Sequence, residues 1–501
     1  MTLTRKEFLG LIAASGAGAA VAPGVAPIAA AAAPKKLEKA AIKGSTAAVA
    51  QFIQRTTLRD MPPEAIAQAK RCLVDGFGVI LAGSTVRGSA IVRDYVEAGT
   101  TTREATVLGA GGLMTSVAYA ALANGASGHA MDFDDTQLST TPDRTYGLLT
   151  HPTLPPLCAA LAVGERQNVS GAAFLEAFLI GFEVECKIAE AIDPAHYTNG
   201  FHSSGTLGTF GAAAAAAKLM SLDAGALAHM LAITASIAAG IRVNFGSMTK
   251  PLHVGRAAEN GVFAAELARR GFTGGDDGLD GEWGFFQVLG GGADLDRLNP
   301  LLGKPYTIVT PGVSVKPYPC GVLSHPSMDA MLKVVTERAV APDHVKAVRL
   351  RAGSNILQPL RYKTAKTELE AKFCLPFLLA SIVLRRRAGV REFTDEFVSS
   401  APVQRMMERI TTVFDPQIEA QGFEKIRSIV EIDLVDGQTI VQPSDDAYRG
   451  GPDRPFTRDE LHAKFTDCAQ LTMTPERIRR ALAAIEGVQE MSSVRALVAA
   501  L

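Results

Sequence analysis

The stretch "GTFGAAAAAAKLMSL", beginning at Gly208, constrains the fold more than any other. Alanine is the strongest helix former, and a run of alanines offers no side chain to reach across a gap. Such a helix is expected to be buried with its neighbours packed unusually close. The text around it, from about Lys39 to Gly303, repeats the helical theme. "STAAVAQFIQRT", "PPEAIAQAKRCLVDGFGVILAG", "TSVAYAALANGASGHAM", "LPPLCAALAVGERQ", "GAAFLEAFLIGFEVECKIAEAI" and "LHVGRAAENGVFAAELARRG" all carry apolar residues at three- and four-residue intervals. Ser, Thr, Gly or Pro punctuate their ends.

The texture changes near Gly303. "KPYTIVTPGVSVKPYPCG" is interrupted by Pro and Gly and reads as a crossing between parts. "HVKAVRLRAG" alternates apolar and basic residues as a strand does, and "IRSIVEIDLVDGQTIVQPS" reads as a hairpin turning at Asp436-Gly437. A helical block, "ELEAKFCLPFLLASIVLRRR", lies between them. Helices return after about Pro455, in a tail too short for a core of its own that is expected to pack on the first region.

The 501 residues are enough for a large core, and 47% hydrophobic against 20% charged residues is a globular balance. Fifty basic and 51 acidic residues nearly cancel, so no bulk charge draws the chain to nucleic acid or to an anionic membrane. Six scattered cysteines without a C-x-x-C pair fit neither a zinc or iron–sulfur site nor a disulfide framework. Residues 1–34 have a basic start, a weakly apolar Ala/Gly stretch and small residues suited to cleavage. Thr4-Arg5-Lys6-Glu7-Phe8-Leu9 resembles a twin-arginine export box, so a signal peptide and a periplasmic location are expected. No later segment offers about 18 uninterrupted apolar residues, and no membrane span is expected once the signal is removed.

The chemistry-bearing stretch "GHAMDFDDT", Gly128–Thr136, admits several readings. As a D-x-D-x-T phosphoryl-transfer loop it lacks the hydrophobic strand that should precede it. Asp132, Asp134 and Asp135 could bind magnesium, although adjacent carboxylates point apart, or could simply cap a turn. Other stretches put His or Lys at or just before a helix start: His151 in "THP", His202 in "GFHSSGT", Lys250 in "TKPLH" and His325 in "SHPSMDA". Imidazoles, a lysine and a carboxylate suit binding a polycarboxylate and moving a proton at carbon. Lys250 would pair with a substrate carboxylate or steady the charge developing on it, while a histidine and Asp132 handle the proton.

In order, "NGASGHAMDFDDT", "HPTLPPLCAALAVGE", "GFHSSGTLGTFGAAAAAAKLM", "GSMTKPLHVGRAAENGVFAAELARRGFTGG" and "VKPYPCGVLSHPSMDA" resemble the MmgE/PrpD family over about residues 45 to 500. Its members include a 2-methylcitrate dehydratase, a cis-aconitate decarboxylase and an iminodisuccinate epimerase. The resemblance implies a cofactor-independent enzyme, without a metal, usually a homodimer, acting on a small di- or tricarboxylate. It implies a mainly α fold with an α+β part. A large all-helical domain is built from residues 40–306 and 454–501, with a smaller α+β lid inserted at 307–453. By motif position the implied catalytic residues are Asp132, His151, His202, Lys250 and His325, with Thr136, Lys316 and Cys320 beside the substrate.

Two departures stand out. "QLSTTPDRTYGLL" lengthens the loop between Thr136 and His151. Where some decarboxylase-like members are expected to carry a lid-helix tyrosine, "AKFCLPFLLA" offers Phe377, which cannot donate a proton. The expected reaction is therefore cofactor-free dehydration of a 2-methylcitrate-like hydroxy acid, a hydro-lyase activity. Epimerisation or decarboxylation of a related acid is the alternative, and a non-catalytic periplasmic binding protein the reading from another class.

Overall fold

The computed structural model describes residues 44–138, 150–422, 426–445 and 447–501. The expected signal (1–34) and most of the lengthened loop lie outside them.

The first region is a stack of helices: α1 (Ser45–Arg55), α2 (Pro63–Gly83), α3 (Arg87–Ala98), α4 (Val117–His129), α5 (Leu154–Gln167), α6 (Gly171–Ala191), α7 (Ser203–Leu219), α8 (Ala224–Ile237) and α9 (Thr249–Arg269). Their starts follow local chemistry. Pro63 opens α2, where its missing N–H costs nothing. Ser170 accepts from Ala173 N at the start of α6, and Asp223 accepts from Ala226 N at the start of α8. The alanine-rich helix is α7, and Ala212 to Ala217 are completely buried, as its composition requires.

Packing of α4, α7 and α9 depends on residues without side chains. A Cβ on Gly255 of α9 would lie 2.5 Å from Leu122 O of α4, and one on Gly125 would lie 2.9 Å from Gly255 Cα. The two backbones touch directly at this crossing.

Beyond the first region, α10 (His325–Glu337) leads to β1 (Val345–Ala352). Next come α11 (Leu375–Arg385), β2 (Ile410–Phe414), β3 (Ser428–Leu434) and β4 (Thr439–Pro443). The sheet order is β2-β1-β3-β4, with β1 parallel to β2 and antiparallel to β3. The hairpin turns where expected, with Gly437 at φ 91°. The helical block is not continuous: Glu368–Ala371 stops, Cys374 is extended at φ -119° and ψ 96°, and α11 starts afresh with Pro376 in its first turn, where the missing N–H costs nothing. Strand β2 carries no clear alternating pattern and was not expected.

The tail forms α12 (Arg458–Ala469) and α13 (Pro475–Glu486), α12 opening with a Thr457/Glu460 capping box. Phe465 and Cys468 of α12 pack on Gly78 of α2, so the tail shares the apolar core of the first region. A second apolar cluster gathers α10, α11 and the sheet. The protein is thus mainly α with a smaller α/β part. No helix among the described residues is long and apolar enough to cross a membrane.

Candidate active site

The C-terminus of α4 delivers His129 and the turn that follows it. Asp132 sits in that turn with φ 51°, a left-handed conformation that Asp adopts more readily than most residues but still at a cost. This local strain turns its carboxylate toward two ammonium groups. Lys250 Nζ, in the first turn of α9, donates to Asp132 Oδ1 at 2.8 Å, and Lys316 Nζ donates to the same oxygen at 2.8 Å and to Asp132 O at 3.0 Å. These lysines hold the Asp132 carboxyl well below the usual range, against the burial that would raise it. Asp132 is therefore an ionised, weakly basic anchor for two cations.

Lys250 Nζ also donates to His129 Nε2 at 2.7 Å, which makes that nitrogen an acceptor. His129 Nδ1 then carries the proton and donates to Asp134, 2.9 Å away. Burial draws the His129 pKa down to about 3, so the ring is neutral. Burial also lowers Lys250, which makes its ammonium a readier proton donor than a solvated lysine.

His151 lies just before α5, with Nδ1 3.1 Å from Asp134 Oδ2 and Nε2 4.0 Å from Asp132 Oδ1. Asp134 thus accepts from His129 and stands within ion-pair distance of His151. His202 caps α7, and its Nδ1 lies 3.0 Å from His253 Nδ1. Burial lowers the pKa of both rings, so one is the donor and the other the acceptor. The His202 ring lies nearly parallel to His129, 5.7 Å away, and edge-on to Phe245 at 5.0 Å.

A cavity of about 50 Å³ opens onto these groups and is lined by Asp132, Thr136, His151, His202, Lys250 and Lys316. Six residues expected from motifs therefore meet at one cavity. Thr136 Oγ1 donates to Thr150 O, which ties the turn to the chain entering α5. The other two expected residues lie behind the lining. His325 Nε2 donates to Cys320 O at 3.3 Å beneath the turn at Gly321, and its ring meets Tyr318 edge-on. Burial pushes the Cys320 thiol up to about 12, so it packs as a thiol. Phe377 is absent from this lining and packs against Phe393 and Phe397, whereas Tyr197 is among the lining residues. The argument against decarboxylation from Phe377 accordingly fails.

Sequence reasoning missed His129, Asp134, His253 and Tyr197. Asp134 was expected to shape the turn, and only its contacts with His129 and His151 disclose its part. His129 stands in the same quoted stretch and could have been noticed by its spacing of five from Asp134. A larger cavity of about 960 Å³, between Arg103 and the C-terminal helices, contains none of these groups.

Donor atoms of His129, Asp132, Asp134 and His151 lie within 4.8 Å of one another, a set different from the three aspartates considered for magnesium. Two of the four are already engaged with cations: His129 Nε2 accepts from Lys250, and Asp132 Oδ1 from two ammonium groups. A divalent ion there would meet both cations at close range, so the group fits poorly.

Asp135 differs from its neighbours. Its Oδ2 accepts from Thr153 Oγ1 at 2.6 Å, while burial, with Asp75 and Asp134 nearby, raises its pKa to about 7. A carboxyl raised in the fold binds more protons folded than unfolded between pH 3.8 and 7, so stability falls as pH rises through that window. Asp135→Asn is expected to be about 4 kcal/mol more stable than wild type at pH 8, the gain shrinking toward zero at pH 4. Urea unfolding at both pH values checks this, and an equal effect at each would refute it.

The model of the MmgE/PrpD N-terminal domain matches residues 47–298, and that of the MmgE/PrpD C-terminal domain matches 318–489. The chain belongs to the MmgE/PrpD family. It is similar to the cis-aconitate decarboxylase of Homo sapiens, 27% identical over 471 residues that cover 91% of this chain and 94% of the relative. It is 26% identical over 480 residues to the cis-aconitate decarboxylase-like protein oryM of Aspergillus oryzae, covering 91% and 96%. These MmgE/PrpD relatives favour the decarboxylase alternative over the hydro-lyase reading expected from the sequence.

Proposed function

We propose that this MmgE/PrpD chain is a lyase that decarboxylates an unsaturated carboxylic acid of the cis-aconitate type. The observation that carries the reading is Lys250, a buried ammonium held by His129 and Asp132 at the wall of a cavity it shares with Lys316. In the reaction, the C–C bond to a carboxylate one carbon from the alkene breaks. Its electron pair forms a new alkene, and the former alkene pair takes a proton at carbon as carbon dioxide leaves. Lys250 is the proton donor, since Asp132 stays ionised and the nearby imidazoles are neutral. Lys316 pairs with a carboxylate that remains, and solvent returns the proton to Lys250. His151 and His202 shape the cavity and offer hydrogen bonds.

Neutral His151 could also serve as a base, which keeps dehydration and epimerisation as the second reading. Incubating the chain with cis-aconitate in deuterated buffer separates these reactions. Released carbon dioxide with one deuterium in the product supports decarboxylation. Deuterium exchange or hydration without carbon dioxide refutes it, and binding without any conversion returns the chain to the non-catalytic class.

At about 50 Å³ the cavity is far below the roughly 300 Å³ at the low end for ligand sites, so entry requires its walls to part. Residues 307–453 are the moving lid in this reading, and 40–306 with 454–501 the body. A groove beside His253 exposes Ile241 and Phe263 by about half, and we place the homodimer contact there. Residues 1–34 direct export to the periplasm. Light scattering of the purified chain and an export reporter fused to residues 1–34 test these two proposals.

A further inference from the structure

The cavity lining is part charged and part apolar. Among the described residues lining it, the cations are Lys250 and Lys316, and both bind the same oxygen of Asp132. Their combined formal charge with Asp132 is one positive, and Asp134 stands directly behind the imidazoles. Of the other described cations nearby, Lys372 and Lys464 are paired with carboxylates, whereas Arg242 stacks on the lining rings of Tyr197 and Phe245 with its Nε unpartnered. Arg242 lies 3.9 Å over the Tyr197 ring and donates to Tyr197 O. Lys372 donates to Ala130 O and pairs with Glu368, and Lys464 pairs with Asp75 while donating to Phe133 O.

The lining also includes Phe245, Val322, Leu323, Leu360 and Phe373. Phe245 and Phe373 stack at 5.7 Å, and Lys250 Nζ lies 5.3 and 5.6 Å from their ring centres. Val322, Leu323, Leu360 and Phe373 are each at most 5% exposed, so a ligand pressed against them leaves water behind. A tricarboxylate here would find a partner for one or two charges and would bury another against hydrocarbon, where an unpaired carboxylate is strongly disfavoured.

We propose that the acid taken by this pocket carries an alkyl arm in place of one carboxylate of a tricarboxylate, the arm lying against Leu323, Leu360 and Phe373. The inference rests on the decarboxylase reading of the site. It makes this chain a dicarboxylate enzyme with an apolar selectivity surface, Leu360 and Phe373 setting the length of arm admitted.

The test compares cis-aconitate with two dicarboxylate analogues, 2-ethylidenesuccinate and 3-methylglutaconate, in which methyl replaces one carboxylate. Carbon dioxide release and binding by calorimetry are measured on the full chain. At least one methyl analogue is expected to exceed cis-aconitate at least tenfold in kcat/KM and in affinity. Leu360→Arg, which places a cation on the apolar surface, is expected to reverse that order. Should the buried arginine prevent folding, Phe373→Ala is expected instead to favour longer arms, propyl over methyl. Equal or better use of cis-aconitate by the wild-type chain overturns the inference while leaving the decarboxylase reading intact. Lys250-dependent binding of a methyl analogue without carbon dioxide release upholds the apolar surface and refutes the reaction. If neither class binds, both fall.

Discussion

Lys250→Ala is expected to lower kcat/KM for decarboxylation by roughly 10³-fold or more while leaving the protein folded. Three losses coincide. The proton donor disappears, His129 Nε2 loses its partner at 2.7 Å, and Asp132 keeps only Lys316. Removal of one partner from a buried charge group leaves the rest poorly compensated, so the carboxyl of Asp132 rises toward its normal range. Lys250→Arg is expected not to rescue, because a planar fork cannot point one N–H at each of two converging acceptors as an ammonium does. Circular dichroism and kcat/KM, measured on the same preparations, provide the check. Activity within tenfold of wild type in folded Lys250→Ala would remove this residue from the chemistry and, with it, the main support for the proposed site.

Gly255→Val is expected to destabilise the fold by about 3 kcal/mol or more, enough to threaten folding at 37 °C. A Cβ at this position would stand 2.5 Å from Leu122 O and 2.9 Å from Ala126 N, both backbone atoms. Backbone cannot step aside as the end of a flexible side chain can, so α4 and α9 must separate. His129 ends α4 and Lys250 begins α9, so separation of the helices also stretches the contact between the two. Surviving Gly255→Val is therefore expected to show reduced kcat along with a lower unfolding midpoint. Gly225→Ala is the control: its Cβ would meet only Asp223 Oδ1 at 3.6 Å, an ordinary contact. An alanine inside α8 should be neutral or stabilising by up to about 1 kcal/mol. Should both variants unfold alike, close backbone contact is not what holds the crossing.

Much of this was legible before the structure because it is local. Helix periodicity, the caps at Ser170 and Thr457 and the turn at Asp436-Gly437 depend on residues a few positions apart. Strand β2 escaped because "ITTVF" is short and half exposed, and it takes its place only by pairing with β1. The candidate site was legible as separate fragments, each a His, Lys or Asp beside a helix end. Their combination came only from the family resemblance and not from spacing, since Asp132 and Lys316 are 184 positions apart and meet only across the fold.

By itself the sequence determined that this chain is mainly helical and carries the motifs of the MmgE/PrpD family. It also supplied the small residues that allow α4, α7 and α9 to touch. Tertiary structure decided the rest. It made Asp132 an ionised anchor between two lysines and turned Asp134 from an expected turn former into the carboxylate that accepts from His129 and stands 3.1 Å from His151 Nδ1. It also put the Phe373 ring 5.6 Å from Lys250 Nζ. Periodicity and capping depend on neighbours along the chain. Protonation state and pocket polarity depend on burial and on charges that are distant in sequence, and those exist only once the chain has packed.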